Sequence, residues 1–235
     1  MIRLLETLLL YEVKASDIFK SATQAEQYSR HEQYAEKNKD QALKYFEKHV
    51  LPKCTKNDDG TYSSKTDINI NYESKIVLSK LPVKFKEVKG YFTISNICLL
   101  TLEGCPEYIG GGFNCTRNDL SSLKGGPKKV GSYYNCTDNL LTSLEGAPEI
   151  IKGNFDCSYN QLTSLIGGPK YVEGNYNCAH NKLTTLKGVP YYVGKNFYCD
   201  SNNLTSLDYK PDKIDGKIYA AKNKLKNIKN TRNKK

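Results

Sequence analysis

The chain has 235 residues, 38% of them hydrophobic and none tryptophan, which is enough for one substantial core or two small ones. Its net charge of +10 is not spread evenly: residues 1–65 hold 11 basic and 10 acidic side chains, residues 66–207 hold 14 and 12, and residues 208–235 hold 10 and 3. The body is therefore close to neutral, which argues against a broad phosphate-binding surface.

The opening stretch "MIRLLETLLLYEV" carries Arg3, Glu6 and Glu12 and has no small-residue cleavage site after it. Its apolar run is far below the roughly 20 residues of a membrane span. A cytoplasmic protein with no membrane contact is expected. Residues 1–55 read as a helical N-terminal cap. Ile2, Leu5, Leu8 and Leu9 form one apolar stripe. Ser16 reads as an N-cap before Ile18, Phe19, Ala22 and Ala25. A third helical stretch starts near Asp40, carries Leu43, Phe46 and Val50, and is stopped by Pro52. Residues 56–67, "KNDDGTYSSKTD", read as a linker.

From residue 68 the chain repeats itself with a period of 21. "GNFDCSYNQLTSLIGGP" at Gly153 returns as "GNYNCAHNKLTTLKGVP" at Gly174. Cysteine recurs at 115, 136, 157, 178 and 199, with Ile94 before and Ala220 after in the same register. A large apolar residue stands two before each, as in Phe155 and Tyr176. Asn stands three after, as in Asn160, and Leu five and eight after, as in Leu162 and Leu165. Pro106 to Pro211 close the turns, and Val88 to Ile214 reopen them. Aromatic–x–Cys alternation puts both side chains on one side of a short strand. Stacked copies would pair these strands in parallel, with Asn bonding backbone groups of its own and the neighbouring coil. An irregular first coil is expected at Ile68, Ile70 and Leu78.

This pattern resembles the leucine-rich repeat family, whose core reads L-x-L-x-x-N-x-L, with cysteine at the second leucine position. The resemblance covers residues 66–228. The wording "G-N-F-D-C-S-x-N-x-L-T-S-L-x-G-x-P" looks most like repeat proteins encoded by large tailed bacteriophages. It implies an α+β solenoid, with a helical cap followed by a leucine-rich-repeat solenoid over 68–228. Its parallel sheet would have about eight short strands, and a basic tail would follow over 229–235. The family's use of such solenoids implies a protein partner bound on a concave face, and the phage likeness implies a host protein, a defence factor among the candidates, in the host cytoplasm.

Cysteine fits the repeat as a small buried hydrophobe, since Ile94 and Ala220 fill the same slot. Disulfides between coils are the sharper alternative, and zinc a weaker one, since no C-x-x-C pair exists. No nucleotide loop, nucleophile elbow or metalloprotease helix occurs, so no catalytic residue, cofactor or metal is assigned. The residues expected to face outward from the sheet are Arg117, Tyr133, Asp138, Asp156, Tyr159, His180, Tyr198, Asp200 and Tyr219. They make a Tyr-rich face of mixed charge, suited to a protein partner. The second reading is a nucleic-acid binder using the basic tail and the Lys124, Lys128 and Lys129 edge.

Overall fold

The computed structural model describes residues 24–71, 74 and 76–225. The stripe from Ile2 to Leu9, the expected cap at Ser16, its neighbours up to Ala22, and the tail 229–235 lie outside the described residues. The chain is a solenoid of parallel strands. Its described part opens with α1 (Gln24–Lys37) and α2 (Lys39–Tyr45), a π-helical turn at Phe46–Val50 and a 3-10 turn at Leu51–Lys53 that contains Pro52. Phe46 and Val50 are buried as expected, but Leu43 is 38% exposed and Ala42 takes the inward position. Ala42, Phe46 and Val50 share one core with Ile68 and Ile70 of the first coil.

Each coil contributes two strands rather than one. The strands built on the aromatic–x–Cys register are β3 (Ile68–Ile70), β5 (Phe92–Ile94), β7 (Phe113–Asn114), β9 (Tyr134–Asn135), β11 (Phe155–Asp156), β13 (Tyr176–Asn177), β15 (Phe197–Tyr198) and β17 (Ile218–Tyr219). They form an eight-stranded parallel sheet in chain order. Ile68 pairs with Phe92 and Ile70 with Ile94, so the irregular first coil has the register expected for it. The second sheet was not anticipated. Its strands are β4 (Phe85–Val88), β6 (Tyr108–Ile109), β8 (Lys129–Val130), β10 (Ile150–Ile151), β12 (Tyr171–Val172), β14 (Tyr192–Val193) and β16 (Lys213–Ile214). The hairpin of β1 (Cys54–Lys56) and β2 (Tyr62–Ser64) completes it to nine strands, with β2 pairing in parallel to β4. Residues 56–67, expected as a linker, thus open this sheet.

The core consists of columns that run along the stack. Phe92, Phe113, Tyr134, Phe155, Tyr176 and Phe197 are fully buried, with successive ring centroids 5.0–6.1 Å apart. Leu99 to Leu204 and Leu102 to Leu186 form two further columns with no exposure. At the last described coil Ile214, Ile218 and Leu225 are only partly buried.

The cysteines from 115 to 199 form a column of free, fully buried thiols. The Cys157 N–H donates to the Asn177 carbonyl at 2.9 Å, and its Sγ–H donates to the same oxygen at 3.4 Å. Cys115, Cys136 and Cys178 repeat the arrangement with Asn135, Asp156 and Tyr198. Burial pushes these thiols well above their ordinary range, and Cys199 up to about 12.

The asparagines couple neighbouring coils. Asn160 Nδ2 donates to the carbonyls of Cys136 in the preceding coil and of Cys157 and Ser158 in its own, at 3.0, 3.2 and 3.1 Å. Its Oδ1 accepts the Leu141 N–H at 3.0 Å. Asn118, Asn139, Asn181, Asn202 and Asn223 make the equivalent bonds. A second ladder runs along the corner between the sheets. There Asn154, Asn175 and Asn196 each accept, through Oδ1, the backbone N–H one coil on, at 2.8–3.0 Å. Ser or Thr in the "LTSL" stretch accepts the N–H two residues later in every regular coil, as Ser143 does from Glu145 at 3.1 Å.

Removing the Asn160 amide strands several buried backbone groups. Asn160→Ala should lower stability by roughly 1–3 kcal/mol, whereas the exposed change Lys187→Ala should stay within about 0.5 kcal/mol. Equal midpoints for the two variants in a urea titration would contradict the assignment. The thiols predict a pH dependence of definite sign. An unfolded thiol ionises near pH 8.5, while the buried ones stay protonated well above it. Their contribution is complete below about pH 8 and is lost as pH rises toward the folded values, by up to about 1.4 kcal/mol per thiol per pH unit. Urea midpoints should hold level from about pH 7 to 8 and fall between about 9 and 11, less steeply in Cys157→Ala. An unchanged midpoint at about pH 10, or rapid labelling of Cys136, Cys157 and Cys178 in the native state, would refute the buried column.

Candidate functional site

The solvent side of the eight-stranded sheet is organised by three rows that run across the coils. One row stands just before the cysteine position: Asn114, Asn135, Asp156, Asn177, Tyr198 and Tyr219. A middle row just after it holds mostly small residues: Thr116, Thr137, Ser158, Ala179, Asp200 and Ala221. The third row is Arg117, Asp138, Tyr159, His180, Ser201 and Lys222.

Every residue of the third row has φ between 52° and 57°. A non-glycine residue there costs roughly 1–2 kcal/mol. The strain is offset by bonds across the coils, because each N–H from Arg117 to Ser201 donates to a carbonyl of the next coil at 2.9–3.2 Å. The left-handed step ends the strand. The first row supports it from the other side. Asn114, Asn135, Asp156 and Asn177 accept the N–H two residues on through Oδ1, at 2.9–3.1 Å. These amides and carboxylates therefore build the turn as well as line the surface.

In the C-terminal half, these rows enclose a groove of about 400 Å³. Its floor includes the buried Ser158 and Ala179. One wall is Tyr159 and His180, whose rings stack at 4.2 Å and 8°. On the other side stand Asn177 and Tyr198, and Tyr198 stacks on Tyr219 at 4.8 Å and 10°. Asp200, Ser201 and Lys222 complete the lining.

Of the residues singled out from the sequence, Tyr159, His180, Tyr198 and Asp200 come together in this groove. Tyr219 joins through its stack on Tyr198. Asp156 stands next to the groove, but its carboxylate is engaged by the Ser158 N–H and hydroxyl at 2.9 and 2.6 Å and by Asn177 Nδ2 at 3.0 Å. Arg117 and Asp138 lie further toward the N-terminal coils and approach each other at 3.9 Å. Tyr133 is elsewhere. It is half-buried at the corner between the sheets, with Tyr91 at 6.0 Å, and its ring occupies the space that a side chain at Gly112 would need. Burial, then Tyr91 and Asp67, push its phenol above the usual value.

The His180 N–H donates to the Asp200 carbonyl at 3.0 Å, but among the described residues no hydrogen bond links the His180 imidazole to the side chains of Ser158, Ser201, Asp156 or Asp200. Nor is there, among the described residues, a group of three or more His, Cys, Asp or Glu side chains placed to hold a metal ion. No described helix is long and apolar enough to cross a membrane.

The sequence reading missed a second exposed row on the nine-stranded sheet, which includes Tyr108, Ile150 and Tyr171, at 43%, 57% and 38% exposure. Tyr171 stacks on Tyr192 at 4.5 Å, and the Tyr192 hydroxyl donates to Asp215 at 2.6 Å, which pushes its pKa up to about 12. The signal for this row was the residue before each Val or Ile that reopens a coil. The signal for the left-handed row was weaker, since Arg, Tyr and His do not announce a positive φ.

Against family models, curated proteins and solved structures, the chain matches none, so the residues and their geometry carry the functional argument alone.

Proposed function

We propose that the chain is a non-enzymatic protein-binding module that engages its partner through the solvent face of the eight-stranded sheet, the face expected to be concave in a leucine-rich-repeat solenoid. The observation that carries this reading is the groove at Tyr159, His180, Tyr198 and Asp200, framed by two stacked aromatic pairs. Tyr offers large contact area at low entropic cost and is enriched where binding energy concentrates. The charge around it is mixed: Asp138, Asp156 and Asp200 stand against Arg117 and Lys222. That balance suits a protein surface better than a phosphate backbone. The phage-like wording of the repeats extends the proposal to a host protein as the partner, a defence factor among the candidates, met in the host cytoplasm.

The test begins with the partner recovered by pull-down and uses calorimetry at about 0.15 M salt, where screening reaches ~8 Å. Replacing Tyr159 and Tyr198 together with Ala should weaken binding by at least ~2 kcal/mol. Removing residues 229–235 should leave it nearly unchanged. Circular dichroism must show both variants folded. If the truncation abolishes binding and the double variant binds normally, the basic tail is the binding element, and a steep salt dependence would then point to nucleic acid.

A further inference from the structure

The third row of the binding face has an interrupted stack. Along consecutive coils it reads Tyr159, His180, Ser201, Lys222. Tyr159 and His180 stack face to face at 4.2 Å. The next rung is Ser201, which has no ring to continue the stack. One coil further stands the exposed Lys222. His180 and Lys222 are therefore two coil steps apart, about 10 Å at the spacing of paired strands. All four residues line the same groove. In the parallel row the rungs are filled, with Tyr198 and Tyr219 stacked at 4.8 Å on the same two coils as Ser201 and Lys222.

The opening has a definite chemistry. On one side it offers the outer face of an imidazole, and on the other an ammonium group suited to the negative face of a ring. Asp200 lies beside it on the floor. One of its carboxylate oxygens accepts the Ala221 N–H at 2.8 Å, and the second has no donor among the described residues. A planar ring that carries an N–H or O–H donor satisfies all three groups at once. The Asp200 carboxylate in the same lining as Lys222 disfavours a ring that brings a phosphate with it.

We propose that the rung left open at Ser201, between the His180 ring and Lys222, receives one tryptophan or tyrosine side chain of an extended segment in the partner protein. This rests on the protein-binding reading above and names its anchor. The backbone at Ser201 has φ 52°, close to the 53° at Tyr159, so this position in the repeat accommodates a large aromatic side chain. Ser201→Tyr would fill the rung with the protein's own ring.

The experiment needs no partner. N-acetyl-tryptophanamide is titrated into the full chain while the His180 ring and the Ser201 and Lys222 amides are followed by NMR. A saturable response at all three is expected, at least 10-fold weaker with N-acetyl-leucinamide and with uridine monophosphate. Ser201→Tyr should weaken the tryptophanamide response at least 10-fold with its circular dichroism unchanged. Should that variant not fold, Ser201→His, the residue type of the preceding rung, is read the same way. The proposal is overturned if the wild-type chain gives no saturable response, if the filled variant responds within 2-fold of wild type, or if either control binds as well as the tryptophanamide. A partner that still depends on Tyr159 and Tyr198 would then leave the binding face standing without this anchor.

Discussion

A solenoid with strands two to four residues long has little sheet in any one coil, so its coils must be held together where the strands stop. In this chain that task falls to the amide of one asparagine per coil. Each strand end leaves carbonyls pointing into a core otherwise lined by Leu, Phe and Cys, and an unpaired buried carbonyl there is costly. Asn139, Asn160, Asn181 and Asn202 each collect three carbonyls from two coils and return one acceptor to a leucine N–H of the coil before. Aspartate has no donors to give and leucine has no polar atom, so neither can replace it.

The rest of the coil follows from that register. The cysteine slot is filled by Ile94 in the first regular coil and by Ala220 in the last described one. In the coils between, a thiol fills it as a small hydrophobe that can still share the carbonyl its own N–H uses. The positive φ of the third row closes the strand so that the asparagine can turn inward. The same turn throws Tyr159 and His180 outward, where their rings stack. The candidate binding face is thus a by-product of how the coil ends, elaborated by the choice of side chain at positions whose backbone is already set.

Much of this could be read from spacing. The aromatic–x–Cys strand, the inward leucines, the asparagine role and the displaced first coil at Ile68 and Ile70 all follow from a period of 21, and they recur in the structure. The second sheet was harder to see. From β6 to β16 its strands are pairs such as Tyr171–Val172 or Ile150–Ile151, too short for alternation to register. The β1–β2 hairpin was hidden because "KNDDGTYSS" reads as a polar turn, and its pairing with β4 depends on tertiary register. Ala42 replaced Leu43 at the core because the helix meets a π-helical turn at Phe46, which shifts the inward face. At the candidate site, four of the nine chosen residues share one groove. Tyr133 went to the corner because Gly112, one coil earlier, leaves room for its ring there, a contact between coils that no single repeat displays.

The coupling between coils is tested most directly by native-state hydrogen exchange in Asn160→Ala. Asn160 Oδ1 accepts the N–H of Leu141, in the preceding coil, whereas Leu162 in its own coil donates to Asn181. The account predicts that the Leu141 amide loses protection first and by the larger factor, with Leu162 largely retained. Loss confined to the variant's own coil, or equal loss at both amides, would contradict the claim that these asparagines join each coil to the one before.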